Sequence, residues 1–166
     1  MGSMRWPHRD PLPRHVREQL ALKRGERVLA HAGTPEGAAV ATTTALHLPD
    51  GEVVPWENLD HARWGEDGLL FTVAGEQERS LPVAEPGRLA ETVFERVTST
   101  IVVSSRVELL ETPDGPRGAR LVARRSPGSA DIVWRVHYDD GVDPESPGIR
   151  SRAETALAHL RAQMGV

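Results

Sequence analysis

The stretch at residues 38–73 reads AAVATTTALHLPDGEVVPWENLDHARWGEDGLLFTV, and it decides the fold class. Ala, Val and Thr fill residues 38–48, as in a strand that packs closely. Asp50-Gly51 stands between Leu48 and Val53, and Asp67-Gly68 precedes the run Leu69–Val73. Asp-Gly pairs favour the positive-φ positions of two-residue hairpin turns. Just upstream, Gly33-Thr34-Pro35-Glu36-Gly37 follows the short apolar segment at Val28 and Leu29. Turns spaced this closely leave no room for parallel crossovers, which need a dozen residues or more. The stretch is therefore expected to form an antiparallel meander.

Helical patterns flank it. Asp10-Pro11 pairs a capping side chain with a proline preset for a first turn; Leu12, Val16 and Leu20 follow on one face, and Gly25 closes the run. A second helix is expected after Pro86, with Leu89, Val93, Phe94 and Val97 as its apolar stripe. Residues 101–110, 119–125 and 132–138 alternate as strands, and Pro113-Asp114-Gly115 turns the chain between the first two. Ser146-Pro147 opens a last helix whose stripe is Ile149, Ala153, Ala156, Leu157 and Leu160, with Gly165 at its end. Docking through Leu157 and Leu160 is expected. The order is a helix, about five strands, a helix, three strands and a helix. The expected class is α+β, mostly antiparallel curved sheets with N-terminal, middle and C-terminal helices. Residues 1–3 read as a cloning scar, 4–24 as a basic N-terminal arm and helix, 25–99 as the meander with its helix, and 100–166 as a three-stranded extension with a C-terminal helix. One continuous domain over 10–166 is the alternative.

Composition narrows the function classes. The 166 residues contain no cysteine, so no disulfide, thiolate metal site or cysteine nucleophile exists. No apolar run reaches the ~20 residues of a membrane-spanning helix, and no apolar leader core follows Met4; a cytoplasmic protein is expected. Lys23 is the sole lysine beside 19 arginines, which fits the codon usage of a high-GC bacterium. The net charge of −4 is uneven: residues 1–27 carry +4 and the remainder −8. The basic arm either meets an acidic partner or docks on its own acidic body.

Four segments, Gly25-Glu26-Arg27-Val28-Leu29-Ala30, Ala41-Thr42-Thr43-Thr44-Ala45-Leu46, Val54-Pro55-Trp56-Glu57-Asn58-Leu59 and Leu70-Phe71-Thr72-Val73, resemble the pleckstrin-homology/GRAM-like modules of bacterial proteins of unknown function. The resemblance covers residues 25–99, less than half of the chain. It implies a curved antiparallel sheet capped by a helix and used to bind lipids, peptides or proteins. Phosphoinositide-binding members place basic residues in the loop after the first strand. Here Gly33-Thr34-Pro35-Glu36-Gly37 offers one acid and no cation, so phosphoinositide binding is not expected.

Candidate sites are few. Asp60-His61 and His137 with Asp139 pair a base with a carboxylate, but no G-x-S-x-G or S-x-x-K signature accompanies them. On an extended strand Asp60 and His61 point to opposite faces. The seven histidines form no metal-binding spacing, and no phosphate-binding glycine loop is present. No catalytic, metal or cofactor residue is therefore assigned. Of Trp56 and Trp64, one is expected inside and the other exposed. Trp64, two residues from Ala62, is the expected core ring, and Trp56 the partner anchor. Arg14 and Arg17 on the arm, and the Arg124-Arg125 pair near Arg117 and Arg120, are the expected contacts for an acidic partner; on an edge strand that pair would instead guard the edge. The expected function is a non-catalytic module binding a protein or peptide partner. The alternatives are a small enzyme or ligand-binding protein with a pocket between the halves, and a weak binder of anionic surfaces. Nucleic acid is not an expected partner.

Overall fold

The computed structural model describes residues 11–165, and the chain forms two compact units, one ending at Val97 and one beginning at Thr98. Each has its own core. Along the first run α1 (Arg14–Gln19), β1 (Val28–Thr34), β2 (Gly37–Thr42), β3 (Ala45–His47), β4 (Val53–Pro55), β5 (Leu59–Trp64), β6 (Gly68–Val73), β7 (Arg79–Pro82) and α2 (Arg88–Ser99). The second contains β8 (Ile101–Thr112), β9 (Gly115–Arg125), β10 (Ile132–Tyr138) and α3 (Pro147–Met164). The protein is thus α+β, with three antiparallel sheets and three helices among the described residues.

In the first unit β1-β2-β3-β4 form one sheet and β5-β6-β7 another. Small residues on one face of β1 and β2, Ala30, Ala32, Ala39 and Ala41, leave space that large side chains fill: Trp56, Leu59, Leu69 and Phe71 complete the cluster. Leu89, Val93 and Val97 of α2 join the same core at i, i+4 spacing, the stripe of an amphipathic helix. Leu12 and Val16 cover Val40 beside Val28 and Ala38, so α1 lies on the other face of β1 and β2. With both faces covered, β2 is apolar almost throughout, unlike a half-solvated strand.

Among the described residues seven strands precede α2, where about five were expected. β7 was not foreseen, and two local devices divide the rest. The Thr42 hydroxyl accepts the Ala45 N–H at 3.1 Å, turning the chain inside the Thr-rich run and splitting it into β2 and β3. Pro55 ends β4, and a single 3-10 turn over Trp56–Asn58 carries the chain to the other sheet.

That corner also reverses the expected roles of the tryptophans. Trp56 is 0% exposed, and its indole N–H donates to the Thr42 carbonyl at 2.9 Å. Trp64 is half-buried against the same core. Strand alternation does not govern Trp56, which stands in a turn and not in a strand. Phe94 also leaves its expected place in the helix stripe and is 69% exposed, one residue round from Val93. The first helix is shorter than expected: it begins after Pro13 and ends at Gln19, well before Gly25. Asp10, its expected cap, lies outside the described residues.

In the second unit β9 is the central strand of the order β10-β9-β8. Thr112 faces Gly115 across a two-residue turn. At Gly118 the strands approach so closely that a Cβ would sit 1.8 Å from the Val107 carbonyl oxygen, so only glycine fits. Asp139 closes the end of β10 there: its carboxylate accepts the Gly118 N–H at 2.8 Å, and its own N–H donates to the Gly118 carbonyl at 2.8 Å. α3 begins after Ser146 with Pro147 in its first turn and ends at Gly165 in the left-handed conformation. Ile149 and Ala153 are its buried residues, packed with Leu109, Ala119 and Val142. Leu157 and Leu160, the expected anchors, are only half-buried, because docking is concentrated in the first two turns. Arg152 reaches back from the helix to donate to the Leu109 carbonyl at 2.7 Å.

Trp56→Ala is expected to cost about 3–5 kcal/mol, as for other large aromatic truncations in a core, and Trp64→Ala less. Urea midpoints compared at constant m-value measure both. Equal losses would show that the two rings fill the core alike.

Candidate functional site

A cleft of about 680 Å³, within the usual range for ligand pockets, opens in the first unit. Pro11, Leu12 and Arg17 contribute from the α1 region, Val28 to Gly33 from β1, and residues 84–88 from the segment that leads into α2. The burial of Leu12 and Val16 against Val40 fixes the first of these, and the Leu89 anchor fixes the last. β1 pairs with β2 alone in its sheet, so it is an edge strand. The lining is mostly apolar and carries two guanidinium groups, Arg17 and Arg88, against the carboxylate of Glu85. Neither arginine has an ion-pair partner among the described residues. Both are exposed, which lets them turn toward a bound anion.

Only one of the expected partner residues reaches this cleft. Arg17 lines it. Arg14 is exposed and held by Glu18 one turn on, at 3.0 Å. Trp56 is core, which withdraws it as a partner anchor. Arg124 is 2% exposed, and its guanidinium donates to the Thr100 hydroxyl at 2.8 Å, so it is a packed interior group and no surface cation. Arg125 is exposed at the end of β9, which is central and not an edge, so an edge-guarding role does not apply. Arg88 and Glu85 were not singled out in the sequence, and Gly33 was read only as part of the turn after the first strand. Each is ordinary where it stands, and only folding brings the three segments together.

The histidine-carboxylate pairs resolve differently. Asp60 is buried and accepts the Gly75 N–H at 2.9 Å, whereas His61 is exposed on the same strand. Asp139 is held by the Arg106 guanidinium, which with the Gly118 N–H lowers its carboxyl to about 2. A third pair joins residues 21 positions apart in sequence. His47 Nε2 donates to the Glu26 carboxylate at 2.8 Å, with only 4% and 2% of the two side chains exposed. The Thr42 hydroxyl and the Lys23 N–H also donate to Glu26. Burial pushes this carboxyl up, but hydrogen bonds from Thr42, His47, the Lys23 backbone and Thr44 outweigh it and hold it at about 2. The side chains of this network belong to the interior; it ties the segment before β1 to β2 and β3.

A smaller cavity of about 250 Å³ lies at the turns after β1 and β3 and along β7. Its cation, Arg79, is clamped by both carboxylate oxygens of Glu52, at 2.9 and 2.6 Å, and stacks 5.2 Å from the Phe71 ring. Glu36 and Asp50 stand beside it, so the cavity is acidic overall. No group of three or more metal-ligating side chains occurs among the described residues.

No family model, no curated protein and no solved structure matches the chain.

The Glu26 network sets an acid limit. A carboxylate whose folded pKa lies below its ordinary value of 4.5 adds stability that is complete above that value and fades as the pH falls toward about 2. Its contribution is on the order of 3 kcal/mol at neutral pH. Glu26→Gln is expected to lower stability near pH 7 and to flatten its fall between pH 5 and pH 2, measured by urea titration across that range. An unchanged acid limb in the variant would assign the acid sensitivity to other groups.

Proposed function

We propose that this chain is a non-catalytic interaction module, a PH/GRAM-like scaffold over residues 25–99 with a strand-rich extension, that binds a protein or peptide partner. The cleft beside β1 carries this reading: it combines an apolar lining, an edge strand and two arginines without carboxylate partners among the described residues. The scaffold reading draws support from two antiparallel sheets that share one core and are followed by a helix packed into it. A cytoplasmic setting belongs to the same proposal and rests on the sequence. No helix among the described residues is long and apolar enough to cross a membrane.

The site's chemistry favours binding over bond-making. Its polar side chains are guanidinium groups, His31 and Glu85, without a hydroxyl nucleophile in the lining. Guanidinium groups recognise carboxylates through paired, charge-assisted hydrogen bonds.

Affinity capture from the source organism, with the wild-type chain and with Arg17→Glu/Arg88→Glu, tests this. The wild type is expected to retain a defined partner that the double variant loses, while the melting temperature shifts by no more than a few degrees, as for exposed substitutions. Retention by both proteins would place the interface elsewhere.

A further inference from the structure

From the cleft's lining we infer the chemistry of its occupant: an extended acidic peptide whose carboxylates meet Arg17 and Arg88 while its apolar side chains enter between them. This rests on the reading of the chain as a peptide- or protein-binding module and specifies its partner.

Arg17 projects from the α1 side of the cleft and Arg88 from the first turn of α2, two separate points of attachment for anions. Glu85 is the single acid of the lining, leaving it net positive. The arginines of the chain's other described ion pairs, such as Arg79 with Glu52 and Arg106 with Asp139, already hold a carboxylate. Arg17 and Arg88 have no carboxylate partner among the described residues, and both line one concavity.

Shape and polarity select among anions. Leu12, Val28, Leu29 and Pro86 surround the two charges with apolar surface, which a phosphate or a sugar-phosphate backbone would not use. Two guanidinium groups offset by a glutamate supply far fewer cations than a DNA binder that makes roughly 6–10 phosphate contacts. A concave slot also fits a flat bilayer poorly, whereas an extended chain alternates its side chains and can present carboxylates and apolar groups together.

Gly33 supplies a test without a change of charge. It lies in the cleft wall at an ordinary backbone conformation, and a Cβ there would have no neighbour within 4 Å. Gly33→Val therefore adds bulk to the cleft in a strand that tolerates valine.

The experiment selects random 12-residue peptides on the immobilised full chain and measures the best synthetic peptide by fluorescence anisotropy. Selected peptides are expected to combine Asp or Glu with Leu, Ile or Val. Gly33→Val and Arg88→Glu are each expected to weaken binding at least tenfold with an unchanged melting temperature. Competition by a 12-base-pair DNA duplex, or by anionic vesicles of phosphatidylserine and phosphatidylcholine, at concentrations that leave a neutral peptide inert would overturn the inference in favour of a nucleic acid or a membrane. Selection of peptides without acidic residues, failure to select any, or affinities insensitive to both substitutions would also overturn it. Host-partner capture separates the two levels: a partner lost by Arg17→Glu/Arg88→Glu, alongside no acidic selection, leaves the module reading standing and removes only this one.

Discussion

Thr42 holds three segments at once, and the first unit depends on those bonds. Its carbonyl accepts the indole N–H of Trp56, its hydroxyl donates to Glu26, and the same hydroxyl accepts the Ala45 N–H. Because Thr42 is 0% exposed, none of these groups has water to fall back on. A buried polar group left without a partner costs about 1–3 kcal/mol, so the three bonds stand or fall together. They set where β2 ends, where β3 begins and where the chain crosses to the second sheet. With Trp56 fixed in this way, the alanines of β1 and β2 become an asset: they leave the volume that the indole fills.

Much of the architecture could be read from local chemistry. Asp50-Gly51 and Asp67-Gly68 mark their turns because few residues adopt positive φ, and Gly51 and Gly68 both do. Ser146-Pro147 and Gly165 bracket α3 because a preset φ and a left-handed cap are local properties. What could not be read depended on side chains from distant segments. Nothing near Trp56 in sequence announces that Thr42 will take its N–H. Similarly, α2 could have turned Phe94 inward as readily as Val93 on periodicity alone; in the fold Val93 joins the shared core and Phe94 is exposed.

The candidate site was legible only in part for the same reason. Arg17 stood out through the positive charge of the first 27 residues, but Arg88 sits in a stretch with no such bias. Arg124 was misleading: a doublet of arginines suggests a surface, yet one member is packed beside Thr100. Charge in this chain divides into cations engaged in structure, as Arg79 with Glu52 and Arg106 with Asp139, and exposed ones outside the described ion pairs, such as Arg17, Arg88 and Arg125. Sorting one from the other needs the third dimension.

The recessed position of β1 also bears on self-association in concentrated solution. A strand edge left flat and open is a template on which further copies can stack into fibres. The outer side of β1 instead faces a hollow bordered by the α1 region and by residues 84–88. A single chain in extended form can enter such a hollow, but the rigid edge of a second folded copy meets its rim first. The geometry that makes room for a guest thus discourages runaway polymerisation along this edge, without the lysines that commonly guard strand edges.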